Sequence, residues 1–173
     1  MKNIVVMAFI CLSSLAQAQL TSKQEVAPEL VEKREVQKKE IMSNYLALKN
    51  SLVVSDSLAV VKNATALKKS LENFKFKKLH LEEMNEATKG RKEIIDLVTE
   101  VMITENINKQ RKIVQSLSVK FWDLAPKFKA ADATVHLQVC PMTGAMWLSD
   151  SKEIRNPYYP KNMLTCGEVK ASL

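Results

Sequence analysis

Two short sulfur-bearing segments lie near the C-terminus, Cys140-Pro141-Met142 and Met163-Leu164-Thr165-Cys166. Thiolate and thioether are soft donors that favour Cu(I) and other thiophilic ions over hard cations. Cys140 and Met142 are two residues apart and would share a face of an extended strand. Met163 and Cys166 are three apart, and a helical turn would bring them together. If the two segments meet, two sulfurs from each could surround one ion, and a partial set would still serve Cu(I). The competing chemistry is a disulfide between Cys140 and Cys166, which in the chain-entropy picture contributes about 3 kcal/mol. Met142 and Met163 would then be adaptable packing. Residue types and spacing leave both possibilities open.

His136 and Met146 are second-rank ligands. Alternation along a strand puts positions 136, 138 and 140 on one face, so His136 could add an imidazole beside Cys140; the blander reading is a solvent-facing histidine. Met146 adjoins Trp147, and sulfur packing against indole competes with ligation. A cysteine nucleophile would need a base and an orienting group. The chain has no His-Glu-x-x-His, no phosphate loop, no Ser elbow and no Cys-x-x-Cys, so a non-enzyme is expected.

The N-terminus sets the compartment. Lys2 gives a positive start, Ile4 to Leu15 an apolar run, and Ala16-Gln17-Ala18 the small-x-small pattern of a signal-peptidase site, so residues 1–18 read as a signal peptide. Ile10 before Cys11 and the Ala-x-Ala site downstream argue against lipidation at Cys11. No later stretch approaches the ~20 continuous apolar residues of a spanning helix. A periplasmic or secreted product follows, and its two remaining cysteines form an even pair, ordinarily read first as a disulfide.

These residues need a scaffold, and composition points to helices. Only three Gly and five Pro occur in 173 residues, too few for a fold made of turns. After a polar leader at 19–28, one helical domain is expected over 29–173, with a sulfur-rich tail at 134–167. Ile41, Tyr45, Leu48 and Leu52 mark one face of a first helix ending near Val54. Ser55 or Asp56 can cap a second, whose stripe reads Leu58, Val61, Leu67, Leu71 and Phe74. Lys75 to Lys78 form a turn. A third helix spans Leu79 to Ile103, with Gly90 a weak point costing ~1 kcal/mol relative to alanine. Thr104 or Asn106 caps a fourth carrying Ile107, Val114, Leu117, Phe121, Leu124 and Phe128, which Pro126 should kink or end near Ala125. Short connections imply an up-down-up-down four-helix bundle.

The tail changes period. Thr134 to Val139 alternates as a half-buried strand, with Val135, Leu137 and Val139 inward. Thr143-Gly144 forms a turn, Ala145 to Leu148 returns as a second strand, and Asn156-Pro157-Tyr158-Tyr159-Pro160 is irregular. The fold class is therefore mainly α, with a small C-terminal β-hairpin and loop.

The formal net charge is +7. Lys68, Lys69, Lys75, Lys77 and Lys78 make a one-sided basic patch, read as a solvated face before a docking surface for an acidic partner or anionic membrane. Nucleic acid is not expected without interleaved aromatics.

The tail order Cys140-Pro141-Met142, Trp147-Leu148-Ser149, Ile154-Arg155-Asn156-Pro157-Tyr158, Met163-Leu164-Thr165-Cys166-Gly167 resembles a bacterial periplasmic family catalogued as domain of unknown function 3347. The resemblance extends to Tyr45-Leu46-Ala47-Leu48-Lys49-Asn50 and Ile107-Asn108-Lys109-Gln110-Arg111. Similar domains are attached to membrane-fusion subunits of heavy-metal efflux pumps. The resemblance implies an exported helical domain whose Cys and Met residues handle Cu(I) or another soft metal, with an efflux component as partner. The function expected is periplasmic soft-metal binding at Cys140, Met142, Met163 and Cys166. The alternative is a disulfide-stapled helical interaction domain with no metal.

Overall fold

A computed structural model describes residues 28–173 of the chain. The expected signal peptide, 1–18, and all of the expected leader except Pro28 lie outside the described residues. Four helices come first: α1 (Pro28–Val53), α2 (Ser57–Asn73), α3 (Leu81–Met102) and α4 (Ile107–Phe128). Each packs on its neighbour in sequence, and α1 closes against α4, as an up-down-up-down bundle requires. Three short strands follow, β1 (His136–Val139), β2 (Met146–Ser149) and β3 (Glu168–Ser172). They form an antiparallel sheet in the order β2-β1-β3. No helix among the described residues is long and apolar enough to cross a membrane.

Local chemistry fixes the helix ends. Pro28 takes the first helical position of α1, where its missing N–H costs nothing. At the other end Ser55 adopts φ 60°, and its N–H and that of Asp56 return to the carbonyls of Leu52 and Ser51, the Schellman closure. Asp56 Oδ1 accepts from the Ala59 N–H at 2.9 Å, and Asn106 Oδ1 accepts from Asn108 and Lys109 at 3.1 Å, so both carboxamide and carboxylate caps act as expected.

The core contains Ile41, Tyr45, Leu48 and Leu52 on α1 with Val114, Leu117 and Phe121 on α4. Two expectations need correction. Leu58 is exposed and Val61 half-buried; Val60 and Ala64 take their places in the buried stripe of α2, which continues as expected through Leu67, Leu71 and Phe74. Pro126 does not end α4 near Ala125, because Phe128 is buried against Phe74, Phe76 and Phe121 and carries the helix three residues further. Gly90 is the close point between α3 and α4, where a β-carbon would come 3.1 Å from Leu124 Cδ1.

The sheet docks on the bundle through β2, which packs against α4 and α1. A chain of hydroxyls runs through this interface. Tyr158 donates to the Met146 carbonyl at 2.8 Å, and since that oxygen only accepts, the order is fixed: Ser118 donates to Tyr158 at 2.9 Å and Tyr45 to Ser118 at 2.8 Å. Tyr45 in turn accepts the Leu148 N–H at 3.0 Å. Arg111 adds a second clamp, donating to the carbonyls of Leu52 and Pro157 and to Ser55. Such satisfied buried networks specify one docking geometry.

Candidate functional site

The tail brings the two cysteines together, with Sγ atoms 3.2 Å apart. Both are free thiols, Cys140 buried and Cys166 half-buried. Cys140 lies at the end of β1, where its N–H donates to Ala145 and its carbonyl accepts from Gly144 at 2.8 Å. The expectation that Cys140 and Met142 share a strand face is corrected here: Pro141 and Met142 lie in the turn itself. Pro141 presets φ for a turn's second position, and Gly144 supplies the left-handed φ of 70° that closes it.

Cys166 arrives from the other arm. Its N–H donates to the Met163 carbonyl at 3.0 Å, the turn expected from the three-residue spacing. Asn156 is buried and braces this segment, donating from Nδ2 to the Cys166 carbonyl at 3.2 Å. Its Oδ1 accepts from the N–H groups of Tyr158 and Tyr159, so the irregular Asn-Pro-Tyr-Tyr stretch has a structural task.

Burial works to raise the Cys140 thiol, but hydrogen bonds from the Thr143 hydroxyl, the Cys166 thiol and the N–H groups of Thr143 and Met142 outweigh it. Cys140 is held below the ordinary thiol range. Cys166 is held above it, chiefly by its hydrogen bond to Cys140 and then by burial. Donors favour the thiolate they point at, so one proton removed from the pair leaves charge on Cys140 while Cys166 retains its hydrogen. Thr143 is a partner of the sulfur beyond the candidates expected from the sequence; its place three residues after Cys140, inside a Pro-Gly turn, is the signal.

The other candidate ligands are placed differently. Met142 contributes its N–H to the site and leaves its side chain exposed. Met163 is half-buried one turn from Cys166. Met146 lies in β2 opposite Val139, its carbonyl taken by Tyr158. His136 is not solvent-facing: it is buried, with Nδ1 2.7 Å from Ser172 Oγ, and four strand steps of ~3.3 Å put its backbone ~13 Å from Cys140.

Nor is β1 a half-buried strand. Gln138 is wholly buried, accepting from Trp147 Nε1 at 2.6 Å and donating to the carbonyls of Ser151 and Glu153. The loop after β2 thus covers the face expected to meet water. Among the described residues no group of three or more His, Cys, Asp or Glu side chains could hold a metal ion. The sulfurs brought together are the two thiols, a donor pair that suits a soft ion of low coordination number better than a four-coordinate Zn²⁺.

The family described as Protein of unknown function (DUF3347) matches residues 41–133, more than half of the chain. That match lies over the helical bundle and stops short of Cys140. No curated protein and no solved structure matches the chain.

Proposed function

This chain belongs to the DUF3347 family, described as proteins of unknown function, and we propose that it is an exported, non-enzymatic domain that captures a thiophilic ion, Cu(I) foremost. Its role would be periplasmic heavy-metal handling, buffering the ion for an efflux component or passing it on. The observation that carries this reading is the Cys140–Cys166 pair, two free thiols 3.2 Å apart with donors holding the buried sulfur toward its thiolate form. A soft ion binds thiolates, and its binding releases their protons. Two thiolates ~2.3 Å from one ion stand ~4.0 Å apart in a trigonal shell and ~4.6 Å apart in a linear one, so the sulfurs would separate by roughly 0.8–1.4 Å from their 3.2 Å. Half-buried Cys166 provides both the freedom for that shift and the route in, and Met142 and Met163 offer thioethers on either arm.

The test is a Cu(I) competition titration of the reduced mature chain beside a Cys140→Ala/Cys166→Ala variant. One-to-one binding lost in the variant is the expected result. Equal affinity in both would discard the assignment.

The same distance favours a second state. The sulfurs need close by only about 1.2 Å to reach the ~2.05 Å of a disulfide, with both electrons and both protons passing to an external disulfide. The oxidised chain would be a stapled helical interaction domain unable to bind metal. Thiol titration of unreduced, denatured chain decides between resting states: no free thiol means the bridge, two mean the dithiol.

A further inference from the structure

We propose a second binding site, remote in chemistry from the thiols: a cleft between the N-terminal half of α1 and the α2–α3 connection that takes a single-chain amphiphile with a phosphate or carboxylate head. Every buried residue of α1 lies at Ile41 or beyond, so Pro28 to Glu40 buries none of its side chains fully. Between this stretch and the connection opens a cleft of about 440 Å³. That is in the lower part of the ~300–1,000 Å³ typical of ligand pockets, room for one chain.

Its charge is one-sided. Lys33, Arg34, Lys75, Lys77 and Lys78 line it, with no Asp or Glu among the described lining residues. Elsewhere Lys38, Lys39, Lys92 and Lys120 each meet a carboxylate; Lys33, Lys75, Lys77 and Lys78 meet none among the described residues. Five cations around one opening repel one another, and an anion relieves that repulsion. Arg34 is already positioned for it, with its guanidinium 5.8 Å from the centre of the Phe74 ring and donating to the Lys75 carbonyl at 2.7 Å. A guanidinium held this way presents its remaining N–H groups to an oxyanion at little entropic cost.

Charge alone would fit any anion. The lining also has an apolar part, Leu30 and Val31 on α1, exposed by 53% and 49%. Arg34 and Lys77 also border an adjoining depression floored by Phe74 and Phe76, which continues the apolar path past the charged mouth. A head that pairs with the cations and a tail that covers these side chains satisfies both halves of the cleft.

The test is calorimetric titration of the full mature chain with monomeric dodecyl phosphate, beside dodecyl maltoside, inorganic phosphate and decanoate. Saturable one-to-one binding of dodecyl phosphate is expected, weakened about tenfold or more by Lys75→Glu/Lys77→Glu/Lys78→Glu and, separately, by Leu30→Ser/Val31→Ser. Both variants should keep the helical circular dichroism of the parent. Decanoate binding as tightly would assign the head preference to carboxylate within the same site. Equal binding of dodecyl maltoside or of inorganic phosphate would overturn the proposal, since one half of the cleft would then suffice. Sedimentation with phosphatidylglycerol vesicles without binding of the monomer would also overturn it, by making the patch a membrane-docking surface.

Discussion

Gly167 packs so closely on Trp147 that a β-carbon there would come 2.9 Å from the ring's Cη2, and 2.7 Å from Ile154 Cγ2. Trp147 is wholly buried and held by Gln138, so the ring has little room to yield. The residue next to Cys166 is thus set by a contact that only glycine permits, and this contact fixes where the second sulfur lies. Replacing Gly167 by Ala is expected to cost about 1–3 kcal/mol by overpacking and to separate the sulfurs. Thermal denaturation and the alkylation rate of Cys166 check this; unchanged stability and unchanged alkylation together would contradict it.

Tyr45 ties the bundle to the sheet, and its hydroxyl is costly to lose. Tyr45→Phe leaves the Leu148 N–H without its buried acceptor, an expected loss of about 1–3 kcal/mol in denaturant unfolding at neutral pH. Burial pushes Tyr45 up to about 12 from the usual 10.0. The neutral form is favoured in the folded state, so the contribution is fully present below pH 10 and is lost as pH rises from there through about 12. The parent should therefore lose stability over that alkaline window, and the Phe variant should lose less. Parallel slopes would contradict this.

Thr143 governs the charge on Cys140. Thr143→Val removes the hydroxyl donor from the sulfur, so the Cys140 pKa is expected to rise toward the ordinary thiol range. Because that pKa lies below its unfolded value, the thiolate contributes stability above the unfolded pKa, and the contribution is lost as pH falls through the folded one. Thiolate ultraviolet absorbance followed against pH measures the shift in chains carrying Cys166→Ser, with and without Thr143→Val. An identical titration in both would remove Thr143 from the account.

How far the sequence anticipates the fold depends on where each signal resides. Ile41, Tyr45, Leu48 and Leu52 were legible because one helix face meets one core and the period records it. Leu58 misled because it occupies the first turn of α2, where an apolar side chain need not point inward; Val60 and Ala64 set the true phase. The burial of Gln138 was not legible, since it depends on the loop after β2 folding over the sheet, and that loop has no period; His136 meets Ser172 of β3, equally remote in sequence. β3 was missed for a related reason: Glu168 to Ser172 are mostly exposed and are made a strand by pairing with β1 some thirty residues away. The sulfur pair was readable as a pair because its residues are few and chemically distinct. The exposed side chain of Met142 was not, because it follows from the turn that Pro141 and Gly144 impose.

X-ray absorption at the copper edge, recorded on the reduced full chain loaded with one equivalent of Cu(I), tests the central claim most directly. The expected result is an inner shell of sulfur alone, with two thiolates from Cys140 and Cys166, that disappears when both are replaced by Ala. A shell dominated by nitrogen or oxygen, or failure of the reduced chain to retain copper, would contradict it.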